Sequence, residues 1–206
     1  MQKNDFVKIS YEGKIKETGQ LFDSGKNVGV VAGGSYVIPG LDEILLQMNV
    51  GEKRTVDIQP EKAFGQRDQA KVHTVPEAEF KKHGTTPKPG LVVDADNMRG
   101  RVVSVTSGRV MIDFNHPLAG KVLTYDIEVT GKIEKPEEKI LAIVEYFTKT
   151  DAVNFSVKVS GKESDITVPP IIHPIYKKKI ADEIIKFLDM EKVKFSEVFE
   201  KHKHKE

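Results

Sequence analysis

The sequence contains none of the common motifs for covalent, phosphoryl-transfer or dinucleotide chemistry. There is no nucleophile elbow, P-loop, HExxH or GxGxxG. It also has no cysteine, which excludes thiol catalysis, thiolate metal sites and disulfides. One carboxylate has an unusual local setting, since Asp23 directly follows the apolar pair Leu21 and Phe22. A carboxylate placed in this way is also typical of a turn or a cap, so both interpretations stay open.

A short helix followed by a strand is predicted over residues 37–65, and a functional site would be built around this helix. The sequence of this segment is VIPGLDEILLQMNVGEKRTVDIQPEKAFG. The apolar residues fall at helical spacing: Leu41, Ile44, Leu45 and Met48. A helix of about two turns would begin at Pro39 and be closed by Gly51, and an alternating strand would follow over residues 54–59. A lone short helix is not stable in water, so it must lie across a sheet. The residues around it then form a pocket or only a core.

Alternation predicts strands before and after this helix. Val7, Ile9 and Tyr11 share one strand face, so Tyr11 is expected to point inward with them. A late strand over residues 123–129 places Tyr125 on its apolar face in the same way. On this pattern alone, both tyrosines are core residues.

Composition limits the classes of partner. The 206 residues suffice for one large domain or for two or three small ones. The formal net charge of +1 gives no indication of a nucleic-acid partner. The N-terminus has no apolar signal region and no run of 18 apolar residues occurs, which predicts a cytoplasmic protein without a membrane partner.

Several short motifs resemble those of the FKBP-type peptidyl-prolyl cis-trans isomerases. They are Tyr11-Glu12-Gly13, LFDSG, VIPGLDEILLQMNVGEKRTVDI and AFG at residues 63–65. They occur in the order and at the spacing of that family, and the resemblance covers residues 1–68. The later run FNHPLAGK is similar to that of the SlyD-like and long archaeal branch, in which a small domain is inserted in the flap. The resemblance implies an α+β fold: a bent antiparallel sheet around one short helix, an inserted small β-rich domain and a C-terminal α+β domain.

The resemblance also implies which residues line a prolyl cleft. Tyr11, Asp23 and Phe64 would be catalytic, and the substrate-binding residues would be Phe22, Val37, Ile38, Leu41, Leu118, Ala119 and Tyr125. Leu41 would form the floor, the Ile38 N–H would donate to a substrate carbonyl, and Asp23 would pair with Tyr11 and polarise the amide. Phe64 stands where many relatives have tyrosine, so a substrate hydrogen bond from that position is not expected. No cofactor or metal is implied, and the alternative for the aromatic residues is plain core packing.

Rotation about an Xaa-Pro bond suits a sequence without a nucleophile. The barrier is about 18–20 kcal/mol because the amide is resonance-stabilised. The two isomers differ by only about 0.5–1 kcal/mol. An enzyme therefore needs only to bind the twisted amide better than either planar form. The twisted amide has a less polar C–O group, which a dry apolar pocket favours over water.

Residues 70–114 fit the inserted domain. Strand candidates span residues 91–95, 101–105 and 109–114, with a hairpin turn signal between the last two. A module of about 45 residues buries little surface, so apolar groups are expected near its exterior. By resemblance this domain binds unfolded chains, and the candidate chaperone-surface residues are Val75, Phe80, Leu91, Val92, Met98 and Met111. Methionine suits a promiscuous surface because its side chain is flexible. The alternative is that all six form the core of the module.

Residues 134–206 predict a further α+β unit of order αββαβ, through which we expect a homodimer. SlyD-like relatives have His-rich tails that bind nickel, whereas the tail here carries only His202 and His204 among lysines. We therefore expect a solvated tail and no metal site.

The predicted domains are residues 1–69 with 115–133 for the isomerase, 70–114 for the chaperone module and 134–206 for the C-terminal domain. The predicted function is a peptidyl-prolyl isomerase and folding chaperone for unfolded or partly folded, proline-containing polypeptides. The alternatives are a holdase chaperone with a weak or vestigial isomerase pocket, and a metal-handling SlyD-like protein.

Overall fold

The computed structural model describes residues 1–95, 98–150, 155–169 and 172–198. It divides into two compact units, Met1–Ile58 with Thr124–Glu206 and Gln59–Leu123. The strands, in chain order, are β1 (Phe6–Ile15), β2 (Leu21–Val31), β3 (Lys53–Ile58), β4 (Val72–Pro76), β5 (Val92–Ala95), β6 (Met98–Thr106), β7 (Arg109–Asp113), β8 (Leu123–Lys132), β9 (Ser156–Ser160), β10 (Glu163–Val168) and β11 (Lys192–Glu197). The helices are α1 (Pro39–Leu45), α2 (Glu77–Lys82), α3 (Pro136–Thr148) and α4 (Pro174–Leu188). In the part of the chain that is described, no helix is long and apolar enough to cross a membrane.

The first unit is built on a four-stranded sheet of order β2-β1-β8-β3. Strand β1 runs antiparallel to β2, and Val7 and Ile9 on its inner face are fully buried. Helix α1 contributes Leu41 and Leu45 to the core, and Met48 in the following turn is buried as well. The predicted α+β class, with an antiparallel sheet and one short helix, is confirmed.

One local prediction in this unit was wrong. Helix α1 ends at Leu45, not at the Gly51 turn, because Gln47 and Met48 donate backbone hydrogen bonds to residues three positions earlier, at 2.9 and 3.2 Å. These tighter bonds are typical of the last turn of a helix. Of the two interpretations left open for Asp23, the turn does not apply, since Asp23 lies within strand β2.

The C-terminal elements follow the predicted αββαβ order. Their sheet has the order β11-β10-β9, with β10 antiparallel to β9 and parallel to β11. The helices bury apolar stripes at the predicted spacing: Ile140, Ile143, Val144, Ile180 and Ile184.

Helices α3 and α4 also cover part of the first sheet. The Phe187 ring of α4 meets the Phe6 ring edge-on, with centroids 6.1 Å apart. Ala142 of α3 lies over Gly29 so closely that a Cβ added at Gly29 would be 2.6 Å from the Ala142 Cβ. Phe6 is therefore buried although alternation places it on the opposite face from Val7 and Ile9.

The second unit contains the sheet β4-β7-β6-β5 and helix α2. Its core is formed by Val102, Val110 and Ile112. A hydrogen bond joins the segment before β4 to the segment after β7, since the Asn115 Oδ1 accepts from the Asp68 N–H at 2.8 Å. The Arg67 guanidinium and the Asp113 carboxylate form an ion pair at 2.7 Å.

Candidate active site

Tyr11 and Asp23 face each other on the antiparallel strands β1 and β2. Tyr11 pairs with Gly25, and Gly13 pairs with Asp23. The Tyr11 hydroxyl donates a hydrogen bond to the Asp23 Oδ2 at 3.2 Å. A Cβ added at Gly25 would lie 2.7 Å from the Tyr11 Cε1, so the ring occupies space that only glycine leaves open. The glycine of LFDSG thus makes room for the tyrosine of the first motif.

A β-bulge places Phe22 beside this pair. The register changes from Gly13 opposite Asp23 to Lys14 opposite Leu21, which leaves Phe22 as the extra residue of β2. A Cβ added at Gly13 would lie 2.8 Å from the Phe22 Cζ and 2.9 Å from a ring carbon of Tyr125. The backbone of Gly13 therefore lies beneath two aromatic rings, and the bulge allows Phe22 and Asp23 to serve the same site.

Three aromatic rings and one carboxylate form a single group, which we call the aromatic site: Tyr11, Phe22, Asp23 and Tyr125. The Phe22 and Tyr125 rings meet edge-on with centroids 5.8 Å apart, and the Tyr11 and Tyr125 centroids are 6.2 Å apart. Tyr125 is only 3% exposed, Tyr11 and Phe22 are half-buried, and Asp23 is exposed. The group therefore has an apolar wall and a charged rim.

Both phenols of the aromatic site hold their protons firmly. Burial raises the pKa of Tyr11 to about 12, and the charge and hydrogen bond of Asp23 act in the same direction. Burial also raises the pKa of Tyr125, with further contributions from Asp23 and Tyr11. At neutral pH, Tyr11 is therefore a hydrogen-bond donor and Asp23 its acceptor.

Val37, Ile38 and Leu41 lie where the chain enters α1. The Ile38 carbonyl accepts hydrogen bonds from the N–H groups of Leu41 and Asp42, both at 3.0 Å, which starts the helix. The N–H of Ile38 itself precedes the helical ladder and is not used by it. Leu41 is 2% exposed, whereas Val37 and Ile38 are half-buried.

Asp42 holds this loop and was missed by the sequence analysis. It is only 9% exposed, and its carboxylate accepts hydrogen bonds from the N–H groups of Gly33 at 2.7 Å and Ser35 at 3.0 Å. An acidic residue in the first turn of a helix is the signal that could have identified it. The signal was overlooked because Asp42 directly follows Leu41, the first residue of the apolar stripe.

Phe64, Leu118 and Ala119 lie in the second unit. The Phe64 ring stacks flat on His116, with centroids 4.2 Å apart and planes 5° apart. The Leu118 N–H donates to the His116 Nδ1 at 3.2 Å, and the Ala119 N–H donates to the His116 carbonyl at 2.9 Å. His116, which the sequence analysis did not single out, thus connects all three residues. Their contribution to a prolyl cleft stays a prediction.

A groove of about 730 Å³ on the first sheet includes Tyr11 but no other member of the aromatic site. Half of its lining residues are charged, among them Lys53 and Glu128, which form an ion pair at 3.1 Å. A prolyl ring requires dry apolar walls, so we do not assign the cleft to this groove.

The six candidate chaperone-surface residues fall into two sets. Val75, Phe80 and Leu91 are half-buried and pack against the core of the second unit, as the core alternative expects. Val92, Met98 and Met111 are exposed. Val103, which was not predicted, is exposed too, because it is the extra residue of a bulge between β6 and β7.

The prediction about metal binding concerns residues that are not described. His202 and His204 lie outside the described ranges. Among the residues with described positions, no group of three or more His, Asp or Glu side chains is arranged to hold a metal ion.

Comparison with protein families matches two parts of the chain. A family model described as "FKBP26, IF domain" matches residues 73–118. A second, described as "FKBP26_C-terminal", matches residues 136–200.

Individual relatives match longer stretches of the chain. A short-type peptidyl-prolyl cis-trans isomerase of Methanocaldococcus jannaschii is 32% identical over 144 residues, 63% of this chain and 92% of the relative. The FKBP-type isomerase SlyD of Helicobacter pylori is 30% identical over 65% of this chain and 76% of its own length. The FKBP-type 16 kDa isomerase of Escherichia coli is 30% identical over 63% of this chain and 91% of its own length. The chain therefore belongs to the FKBP-type peptidyl-prolyl cis-trans isomerases.

Proposed function

We propose that this enzyme interconverts the cis and trans forms of Xaa-Pro bonds in unfolded or partly folded polypeptides, and that it assists their folding. The observation that carries the proposal is the aromatic site, in which the rings of Tyr11, Phe22 and Tyr125 pack together and the Tyr11 hydroxyl binds the exposed Asp23 carboxylate. Membership of the isomerase family supports the same activity.

The mechanism needs no proton transfer. The twisted amide has lost resonance, so its C–O group is less polar and its nitrogen is pyramidal. Aromatic walls and the Leu41 floor would bind that form better than the planar ground states, which lowers the barrier. The Ile38 N–H would hold a neighbouring substrate carbonyl. Asp23 would act through its field on the amide, since no bond is broken and no base is required.

The sharpest test of the aromatic site is the substitution Asp23→Leu. We expect kcat/KM for a short Xaa-Pro peptide to fall about tenfold, because the variant loses a charge aimed at the reacting amide. Stability should change by less than about 0.5 kcal/mol, since the Asp23 side chain is exposed. A protease-free peptide isomerisation assay and thermal unfolding would measure the two effects.

The matched control is Asp182→Leu, which removes an exposed carboxylate from α4. This control should keep wild-type turnover. Equal turnover in Asp23→Leu and wild type would remove Asp23 from the mechanism.

A holdase with a weak isomerase pocket is the second candidate. Two observations favour it: Phe64 carries no hydroxyl for substrate, and Val92, Met98 and Met111 are exposed in the second unit. The peptide assay separates the two candidates. A wild-type protein that prevents aggregation of an unfolded client but shows no peptide turnover would be a holdase.

We further propose that residues 70–114 form an inserted chaperone module and that residues 134–206 form a C-terminal domain whose helices pack on the first sheet. The two family models, which match residues 73–118 and 136–200, support this division. Homodimerisation through the C-terminal domain and a cytoplasmic location stay predictions. Sedimentation of the full-length protein would test the first.

A further inference from the structure

Tyr36 directly precedes the proposed substrate-binding residues Val37 and Ile38, yet its side chain belongs to the C-terminal helices. It is 7% exposed. Its ring packs against Tyr146 of α3 with centroids 4.3 Å apart, and Phe187 of α4 lies 6.2 Å away. The Tyr36 hydroxyl donates a hydrogen bond to the Glu183 Oε2 at 3.3 Å. Two helices from the far end of the chain therefore hold the residue beside the proposed cleft.

The other side of the same loop is held by α1. Gly33 and Ser35 adopt the left-handed backbone conformation, with φ of +70° and +62°. That conformation is unfavourable for a serine and persists only where surrounding contacts impose it. The two hydrogen bonds to Asp42 supply such contacts. The loop is thus fixed between Asp42 on one side and the Tyr36 contacts on the other.

The acceptor for Tyr36 is itself fixed. The second oxygen of the Glu183 carboxylate, Oε1, forms an ion pair with Lys186 at 3.1 Å. Burial raises the pKa of the Tyr36 phenol, with the Glu183 charge and hydrogen bond adding to it. The phenol is therefore a donor throughout the neutral range, and the bond to Glu183 has one defined direction.

We propose that Tyr36 is a positioning residue through which α3 and α4 hold Val37 and Ile38 in their substrate-binding geometry. The inference rests on the proposed isomerase function and extends it to the C-terminal helices. One residue separates Tyr36 from Ile38, so a change in the Tyr36 backbone redirects the Ile38 N–H. Misplacement of a binding group by about 1 Å can cost as much as about a hundredfold in rate.

The test uses full-length Tyr36→Phe, Glu183→Gln and Tyr36→Ala. Tyr36→Phe removes only the hydroxyl, whereas Glu183→Gln weakens its acceptor and also removes the charge that pairs with Lys186. For each of these two we expect KM for a short Xaa-Pro peptide to rise about threefold with little change in kcat, as when uniform binding is lost. Tyr36→Ala should raise KM about tenfold or more. The double variant of Tyr36→Phe with Glu183→Gln should be no worse than Glu183→Gln alone, because both changes act on the same hydrogen bond.

A second readout measures positioning directly. Amide hydrogen exchange at Val37 and Ile38 should accelerate in Tyr36→Phe, while exchange in β1 stays at the wild-type rate. The matched control is Tyr176→Phe, which alters an exposed tyrosine on the same helix α4 and should leave KM and exchange unchanged.

The possible failures are distinguishable. Absence of turnover in the wild-type protein overturns the proposed function, and the exchange measurement still decides whether Tyr36 holds the loop. Turnover in wild type with unchanged KM and exchange in Tyr36→Phe overturns the inference alone. A lower melting temperature with unchanged KM and exchange also overturns it, because Tyr36 would then serve stability only.

Discussion

Leu41→Ala is expected to lower the free energy of unfolding by about 2–5 kcal/mol, the range for truncating a buried leucine. Leu41 is 2% exposed on α1, so the substitution leaves a cavity that the surrounding structure fills only in part. The same change should reduce kcat/KM for a short Xaa-Pro peptide about a hundredfold, because the proposed cleft loses its floor. Urea unfolding would measure the loss of stability. The peptide assay, run below the thermal unfolding midpoint of the variant, would measure the loss of kcat/KM.

Leu45→Ala separates the two effects. Leu45 lies one helical turn further along α1 and is also fully buried, but it is not assigned to the cleft. We expect a similar loss of stability with a much smaller loss of turnover. Equal losses of turnover in both variants would mean that α1 acts only as a support. Near-wild-type stability of Leu41→Ala would contradict the buried position itself.

Helix α1 illustrates what residue spacing can predict. The apolar stripe and Pro39 correctly indicated the helix, its first residue and its buried face. Its end was misjudged because Gly51 offered a strong stop signal, whereas the chain leaves the helix at Leu46 through tighter backbone bonds. Periodicity predicts which residues face the core, but it does not predict where the helix ends. Met48 is buried at the predicted spacing although it lies beyond the end of α1.

The aromatic site shows where alternation fails. The motifs identified Tyr11 and Asp23, and their hydrogen bond is present at 3.2 Å. The placement of Phe22 beside them depends on a bulge, which changes side-chain direction without leaving a signal in the sequence pattern. Gly13 and Gly25 matter for the same reason, because the space above them is visible only once the neighbouring strands are paired.

The burial of residues that are covered by distant elements could not be predicted from the local sequence pattern. Phe6 and Tyr36 are buried because α3 and α4 pack against them, more than a hundred residues later in the sequence. Asp42 is buried because it serves the loop before its own helix. Each of these positions depends on a tertiary contact, and a single sequence carries no direct record of such contacts.

Exposed apolar side chains of the second unit give the other large expected effect. Replacing Val92 and Val103 by threonine and Met98 and Met111 by glutamine should slow the assisted refolding of a proline-limited client by more than about tenfold. These four residues are exposed on strands β5, β6 and β7, and threonine retains strand preference. The core of Val102, Val110 and Ile112 is untouched, so the module should stay folded.

The same quadruple variant should keep kcat/KM for a short peptide within about twofold of wild type, because a short substrate needs only the isomerase site. The control replaces Val50 and Val198, which are exposed valines outside this module, by threonine and should leave client refolding unchanged. Unchanged client refolding in the quadruple variant would show that the four exposed side chains of the second unit do not capture clients. A parallel loss of peptide turnover would show instead that the substitutions disturb the isomerase site, so the two assays must be run on the same preparations.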